Sequence, residues 1–316
     1  MPLQYDPEFA QDAAPVLKLL SETPRPAVHD TASRRAALHH LTAQMPTPDL
    51  PDDMERIVYH VPAADNHPVP IYHYRKKQVT GKAPAIVHMH GGGYISLDGD
   101  KCEGLLVAYV AATGVQFLSV DYRLAPEHPY PAAVDDAWAA LQWISSHAEE
   151  LSIDASRIGV LGESAGGGLA AGLALLARDR GLSPPIAKQI LIYPMLDDRT
   201  VTNHAGNLAF WTEDDNVTAW TAYLGKDVPG TDDVSVYAAP ARADSVEGLP
   251  PLYLDVPGLD IFVHEDAEYV RRFLVANIPT EFHIYPRLPH GFEGLAPMSN
   301  LVRQAMANRF KAIQSI

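Results

Sequence analysis

A motif of the form Gly-x-Ser-x-Gly, at residues 162–166, constrains the fold more than any other feature of this chain. An apolar run precedes it and a run rich in alanine, leucine and glycine follows, which predicts a strand, a tight turn and then a helix. The outer glycines lack a Cβ and tolerate the strained backbone that exposes the hydroxyl of Ser164. The alternative is a glycine-rich junction with an incidental serine, because motifs this short also occur by chance.

A glycine-rich segment lies upstream, where His90-Gly91-Gly92-Gly93 follows a predicted buried strand. Three consecutive glycines leave backbone N–H groups open to a neighbour, and such donors stabilise the oxyanion of an acyl-transfer intermediate. The alternatives are a flexible turn or a phosphate-binding loop. The glycine patterns of nucleotide-binding loops are absent from the sequence, so the two motifs together favour acyl transfer.

An acid and then a histidine are expected downstream of such a serine. Asp260 lies in the loop after a predicted strand at 251–256, and His290 lies in the loop after a predicted strand at 280–285. Both positions fall past the carboxyl ends of strands, where open α/β sheets bind their ligands. We therefore predict that Asp260 is the acid and His290 the base.

Other acidic residues and histidines compete for these roles. Asp255 and His283 belong to predicted strands, and His264 lies in a helix-like run, so all three are less suitably placed. His88 and His90 stand two residues apart and could share a metal ion. No familiar metal-ligand spacing accompanies them, so neither a metal site nor a cofactor is predicted.

Four spaced motifs agree with one another. They are the His90-Gly-Gly-Gly loop, the segment Asp121-Tyr-Arg-Leu-Ala-Pro-Glu-His-Pro-Tyr-Pro-Ala-Ala133, the Ser164 turn, and Leu259-Asp260 with His290-Gly-Phe. Together they resemble the hormone-sensitive-lipase-like carboxylesterases (bacterial family IV) of the α/β-hydrolase fold, over about residues 55–316. The resemblance implies a catalytic triad of Ser164, Asp260 and His290. It also implies an oxyanion hole formed by the N–H groups of Gly92, Gly93 and Ala165, with Gly91 as a further candidate.

The chain departs from the family's pattern at two places. The usual acid loop reads Asp-Pro-Leu-x-Asp-Glu, whereas this chain has Asp260-Ile-Phe-Val-His-Glu. The aspartate that usually precedes the serine is replaced by Glu163, which reaches further and must rearrange any supporting hydrogen bond. We interpret segment 121–133 as architecture: Asp121 and Arg123 can pair with each other or with the glycine loop.

Alternation of strand and helix patterns predicts a mostly parallel, eight-stranded α/β sheet flanked by helices, with a helical cap. The predicted strands are 56–62, 69–75, 84–90, 116–121, 157–162, 188–193, 251–256 and 280–285. The predicted helices are 134–148, 165–179, 264–276 and 298–314, with further ones at 9–21, 31–44 and 214–224. The expected domains are an N-terminal helical part of the cap at 1–50, an inserted cap segment at 199–225, and a catalytic core at 51–198 and 226–316.

Aromatic residues near the two cap segments are candidates to line an apolar substrate pocket. They are Tyr94, Phe210, Trp211, Trp220, Tyr223 and Phe292. The alternative is that some of them only attach the cap to the core.

A net charge of −15 argues against a nucleic-acid or anionic-membrane partner. The single cysteine fits a reducing compartment, and the start of the sequence lacks a basic segment followed by an apolar one, so a cytoplasmic location is expected. A homodimer is left open. The predicted function is hydrolysis of short- to medium-chain carboxylic esters through an acyl-enzyme.

Two alternatives to ester hydrolysis remain. Amide or formamide hydrolysis would use the same residues. A small-ligand receptor is the alternative from a different class, as in the plant gibberellin receptors, which resemble this family but have lost the triad histidine. This chain keeps His290 at the matching place.

Overall fold

The computed structural model describes residues 3–43, 49–78, 80–202 and 204–316. These residues form an eight-stranded sheet with the strand order β1-β2-β4-β3-β5-β6-β7-β8. The strands are β1 (Met54–Pro62), β2 (Pro68–Lys76), β3 (Ala83–Met89), β4 (Gln116–Val120), β5 (Ile153–Glu163), β6 (Lys188–Ile192), β7 (Leu252–Pro257) and β8 (Thr280–Tyr285). Strand β2 is antiparallel to both of its neighbours, and all other neighbouring pairs are parallel.

Helices cover the sheet and extend beyond it. They are α1 (Pro7–Asp12), α2 (Ala14–Glu22), α3 (Thr31–Thr42), α4 (Glu103–Thr113), α5 (Ala132–Ser146), α6 (Ala165–Asp179), α7 (Glu213–Leu224), α8 (Val263–Val275), α9 (Phe292–Leu295) and α10 (Asn300–Gln314). The predicted α/β-hydrolase fold is confirmed, and every predicted strand is present. Gln44, the predicted end of the helix that begins at Thr31, lies outside the described residues.

Helix α4 was not predicted from the sequence. It is apolar on most sides, because Leu106, Val107, Tyr109 and Val110 are all buried in the core. A helix without a distinct polar face lacks the 3.6-residue alternation by which surface helices are identified. Its N-cap, Cys102, makes no side-chain capping hydrogen bond, so the start signal is also missing.

The central strands carry apolar residues on both faces. Every residue of β4 and β7 is buried, as are residues 158–163 of β5. Parallel strands covered by helices on both faces are expected to be continuously apolar rather than alternating. The buried strands therefore fix the positions at which the loops that carry Ser164 and Asp260 begin.

Helix α6 packs unusually close to the sheet. A Cβ at Gly166 would lie 2.0 Å from the carbonyl oxygen of Met89, and one at Gly168 would lie 2.1 Å from that of Met195. No side chain fits in such gaps, so glycine is required at both positions. The helix that follows Ser164 is therefore fixed against β3 and against the loop after β6.

The cap joins two distant parts of the chain. Helices α1–α3 come from the N-terminus, and α7 comes from the long segment between β6 and β7. Arg34 Nε donates to Asp215 Oδ1 at 2.8 Å, and the backbone N–H of His29 donates to Thr218 Oγ1 at 2.9 Å. The predicted domain boundaries remain a prediction. None of the described helices is long and apolar enough to cross a membrane.

Candidate active site

The turn between β5 and α6 presents Ser164. Its backbone has φ 56° and ψ −119°, a left-handed conformation that is uncommon for a residue with a side chain. A Cβ at Gly162 would lie 2.1 Å from the carbonyl oxygen of Gly166, so the turn closes only with glycine there. The Ser164 N–H donates to the Ile192 carbonyl at 2.9 Å and anchors the turn to β6. The surrounding structure thus maintains a strained serine, as expected for a nucleophile turn.

Three side chains from different strand ends meet in one hydrogen-bonded chain. His290 Nε2 lies 2.9 Å from Ser164 Oγ, and His290 Nδ1 lies 2.6 Å from Asp260 Oδ2. Asp260 is fully buried, and its other oxygen accepts the backbone N–H of Phe262 at 3.1 Å. With Nδ1 donating to the carboxylate, Nε2 of the neutral ring is free to accept the serine proton.

The rivals for these roles are engaged elsewhere. Asp255 receives two hydrogen bonds from Arg309, at 2.7 and 2.9 Å. His283 Nε2 contacts Glu281 at 2.8 Å on strand β8, and the ring of His264 packs against that of His204. Of the candidates considered, the structure places His290 in contact with the serine and Asp260 in contact with His290.

The glycine loop lies against the nucleophile turn. A Cβ at Gly91 would lie 3.2 Å from the carbonyl oxygen of Glu163 and 3.6 Å from the Ser164 Cβ. Gly92, with φ 113°, accepts the N–H groups of the residues at 95 and 96 through its carbonyl. Within the described residues, the N–H groups of Gly92, Gly93 and Ala165 donate to no protein acceptor. The assignment of these three N–H groups to an oxyanion hole stays a prediction.

Segment 121–133 contacts the loop that begins with the glycine motif, residues 90–99, at three points. Asp121 Oδ1 accepts the N–H of Gly99 at 3.0 Å, Tyr122 Oη donates to the His90 carbonyl at 2.7 Å, and the N–H of Ala125 donates to the Tyr94 carbonyl at 2.9 Å. Of the two pairings considered for Asp121, the structure shows the one with the loop.

Arg123 instead binds the buried carboxylate of Asp136, to which its Nε and Nη2 donate hydrogen bonds. A second arginine, Arg35 on α3, reaches the glycine loop from the cap. Its Nε donates to the Ile95 carbonyl at 2.7 Å, and its other nitrogens bind Glu127 at 2.8 Å. This cap-to-loop contact was not predicted.

The two histidines before the glycine loop both contact protein groups. His88 lies between Ser119 Oγ and Glu163 Oε2, each at 2.9 Å, so Glu163 reaches a side chain of the neighbouring strand β3. His90 contacts the Gly91 carbonyl at 2.7 Å and stacks on the ring of Tyr122. Burial lowers the pKa of His90 to about 4, so the ring is neutral at neutral pH.

A cavity of about 600 Å³ lies next to the glycine loop and the loop that carries His290. Gly92 and Pro289 line it from the core, Phe210 and Trp211 from the inserted segment, and leucines of α2 and α3 from the N-terminal segment. The ring of Trp211 lies 6.3 Å from that of His290. The cavity therefore reaches the glycine loop and the loop that carries His290, and both parts of the cap line it.

The structure places four of the predicted pocket residues elsewhere: Tyr94, Trp220, Tyr223 and Phe292. These four are buried and do not line the cavity. Tyr94 stacks on Tyr223 with ring centroids 3.9 Å apart and is 5.9 Å from Trp220, so this cluster attaches α7 to the glycine loop. Phe292 packs inside the core against Tyr193. Large rings bury much apolar area, which favours their use at this junction.

The lining residues that sequence reasoning missed include five leucines of the N-terminal helices. They are Leu17, Leu19, Leu20, Leu38 and Leu41. Helix α2 has an apolar stripe yet buries none of its residues. The apolar stripe on this helix, which was assigned to the cap, was the sequence signal that could have identified these lining residues.

Comparison with known proteins agrees with this geometry. A model of the alpha/beta hydrolase fold family matches residues 86–294. The chain belongs to this family. Within it, the chain is 35% identical over 315 residues to carboxylesterase NlhH of Mycobacterium tuberculosis, covering 96% of each chain. It is 37% identical over 217 residues to esterase LipI of the same organism, covering 68% of this chain and 67% of LipI.

Solved structures extend the same comparison to three dimensions. This family member superposes on a bacterial heroin esterase with a TM-score of 0.90 at 36% identity, over 99% of this chain and 98% of that chain. It superposes on an esterase from the archaeon Pyrobaculum calidifontis with a TM-score of 0.83 at 30% identity, over 100% of this chain and 99% of that one. The resemblance to the hormone-sensitive-lipase-like carboxylesterases is thereby confirmed.

Proposed function

We propose that this α/β-hydrolase is a serine carboxylesterase that hydrolyses short- to medium-chain carboxylic esters through an acyl-enzyme. The observation that carries the proposal is the hydrogen-bonded chain from Ser164 through His290 to Asp260. The N–H groups of Gly92, Gly93 and Ala165, which have no acceptor within the described residues, support it. The relatives named carboxylesterase and esterase support the same reaction.

Each residue has a defined part in the reaction. His290 Nε2 accepts the proton of Ser164 as Oγ attacks the ester carbonyl, and Asp260 stabilises the imidazolium that forms. The N–H groups of Gly92, Gly93 and Ala165 bind the oxyanion of the tetrahedral intermediate. His290 then protonates the departing alcohol. Water attacks the acyl-enzyme, giving its proton to His290, and the carboxylic acid leaves as Ser164 regains its hydrogen.

The cavity sets the substrate size. Its volume of about 600 Å³ lies within the range of small-molecule sites, and its leucines favour an apolar acyl or alcohol group. Because both cap segments line it and limit its size, we expect turnover to decline for acyl chains beyond about eight carbons. A p-nitrophenyl ester series from acetate to palmitate measures this, and a preference for palmitate would contradict it.

Substitution of the nucleophile tests the reaction itself. Ser164→Ala is expected to lower kcat for p-nitrophenyl butyrate by about 10⁴–10⁶-fold, because the residual rate comes only from binding and the oxyanion hole. Ser299→Ala is the matched control, since it removes a buried serine hydroxyl that makes no hydrogen bond within the described residues. Retained activity in Ser164→Ala would overturn the proposal.

Two further measurements test the alternatives. A fluorophosphonate probe should label the wild type and fail to label Ser164→Ala, whereas an inert receptor would react in neither form. Turnover of butyryl p-nitroanilide above that of the matched ester would favour amide hydrolysis. The cytoplasmic location and the homodimer remain predictions, which cell fractionation and size-exclusion chromatography test.

A further inference from the structure

Three charged side chains form a largely buried cluster that has no part in the reaction above. Arg309 of α10 and Asp255 of β7 are both fully buried, and Glu293 of α9 is 13% exposed. Arg309 Nε and Nη2 donate to the two oxygens of Asp255, and Arg309 Nη1 lies 3.3 Å from Glu293 Oε1. The guanidinium of Arg309 thus forms ion pairs with two carboxylates.

Tyr193 links this charged cluster to His290. Its hydroxyl donates to Glu293 Oε1, and its ring packs against the imidazole of His290 with centroids 4.5 Å apart. Two other rings pack against the imidazole at longer distances, Phe262 at 5.5 Å and Trp211 at 6.3 Å. Burial, followed by the charge of Glu293, raises the pKa of Tyr193 well above its usual range, so the hydroxyl keeps its proton and remains a donor.

The backbone of Tyr193 is held as firmly as its side chain. Its φ is 35°, a left-handed value that is uncommon for an aromatic residue and has to be maintained by its surroundings. Its N–H donates to the Asp255 carbonyl at 2.6 Å. Asp255 therefore fixes Tyr193 at the backbone directly and at the hydroxyl through Arg309 and Glu293.

Stability alone does not explain this cluster. Buried charges lose solvation, and well-packed apolar residues of similar size usually stabilise a core equally well or better. Glu293 Oε2 is moreover buried without a hydrogen-bond partner in the described part of the chain. Costly polar groups of this kind are concentrated near active sites, where they fix reacting groups.

We propose that Tyr193 and Glu293 are positioning residues for His290. The Tyr193 ring forms the wall against which the imidazole rests, and the hydroxyl bond to Glu293 fixes that wall. The inference rests on the proposed function, since it concerns the histidine of the same site. Neither residue is required to touch the substrate.

The test separates the hydroxyl bond from the ring. Tyr193→Phe keeps the ring and removes the bond, and Glu293→Ala removes the same bond from the other side. Each is expected to lower kcat for p-nitrophenyl butyrate about tenfold with KM within about twofold, because a slightly misplaced base slows proton transfer without weakening substrate binding. The double variant is expected to be no slower than either single one, since both remove one bond.

Glu293→Gln supplies a conservative rescue. The amide oxygen can still accept the Tyr193 hydroxyl, so this variant is expected to recover most of the kcat lost in Glu293→Ala. A merely structural role would lower thermal stability without this recovery of turnover.

Tyr74→Phe is the matched control. It removes another buried tyrosine's hydrogen bond to a carboxylate, from Tyr74 Oη to Glu103 Oε2 at 3.0 Å, in the cluster on strand β2. It is expected to alter thermal stability while leaving kcat unchanged. Equal kcat in Tyr193→Phe and Tyr74→Phe would overturn the inference, as would a rise in KM at constant kcat. Either outcome leaves the proposed function intact, whereas an inactive wild type would overturn both.

Discussion

The core and the cap hold their functional residues in different ways. In the core, Ser164, Asp260 and His290 are almost fully buried and are placed by the ends of strands and by short backbone contacts. Between the cap and the core, one fixed point is the ion pair of Arg35 with Glu127, whose side chains are 28% and 55% exposed. Buried contacts of this kind give precision, and half-exposed pairs contribute less and depend on salt. Substitutions in the core should therefore act on the chemical step, and substitutions in the cap on substrate binding.

The largest effect distinguishes two buried carboxylates of the core. Asp260→Asn is expected to lower kcat by about 10⁴-fold, because the amide favours the wrong imidazole tautomer. Asp255→Asn leaves the tautomer intact and weakens the contact with Arg309, so it should lower the melting temperature and reduce kcat no more than Tyr193→Phe does. Steady-state kinetics with p-nitrophenyl butyrate and calorimetry measure both. A larger loss of kcat in Asp255→Asn would show that the acid is misassigned.

The next effect concerns the glycine loop. Gly92→Ala is expected to lower kcat by about 10²–10³-fold, because its Cβ would lie 2.1 Å from the Ser96 carbonyl oxygen and would displace an oxyanion donor. Gly114→Ala is the control, since Gly114 also has a positive φ but its Cβ would meet nothing within 4 Å. Activity assays at equal protein concentration compare them. Full activity in Gly92→Ala would exclude the loop from the oxyanion hole.

A third prediction compares the responses of the core and of the Arg35–Glu127 pair to acidic pH. Burial lowers the pKa values of His73 and His90 to about 4 in the core, while the hydrogen bond from Arg35 lowers the pKa of Glu127 to about 2. A histidine with a depressed pKa stabilises the fold fully above its unfolded value of 6.5, and this stability is lost as the pH falls toward 4.

The free energy of unfolding should therefore decline by about 1 kcal/mol per pH unit for each of the two histidines over that interval. The Arg35–Glu127 pair should remain ionised throughout it. Urea titrations between pH 4.5 and 7 measure the slope, and His73→Phe should reduce it. An unchanged slope in that variant would show that His73 does not contribute.

The smallest effect lies in the cap. Arg35→Met removes the contacts with Glu127 and with the Ile95 carbonyl, and is expected to lower kcat/KM a few-fold, mainly through KM. The difference from the wild type should shrink at about 1 M salt, which screens the half-exposed pair. Arg271→Met is the control, because Arg271 makes a similar but exposed pair with Glu268. A salt-independent loss of kcat would instead assign Arg35 to the core machinery.

The sequence predicted the core well because its signals are local. Apolar runs located the strands, and the position of Asp260 in a loop rather than in a strand separated it from Asp255. The contact of Arg35 with Glu127 joins residues 92 positions apart, and no local pattern encodes such a pair. Aromatic composition also failed to show which rings face a cavity, since Trp211 and Trp220 lie nine positions apart and have opposite environments.

Helices α2 and α3 contribute leucines to the cavity while contributing no atom to bond breaking. Part of the proposed substrate selectivity is thus encoded in a stretch of polypeptide that is separate from the catalytic residues. Exchanging the first 42 residues for those of a relative is therefore a way to change the substrate preference of the enzyme while its catalytic residues stay the same.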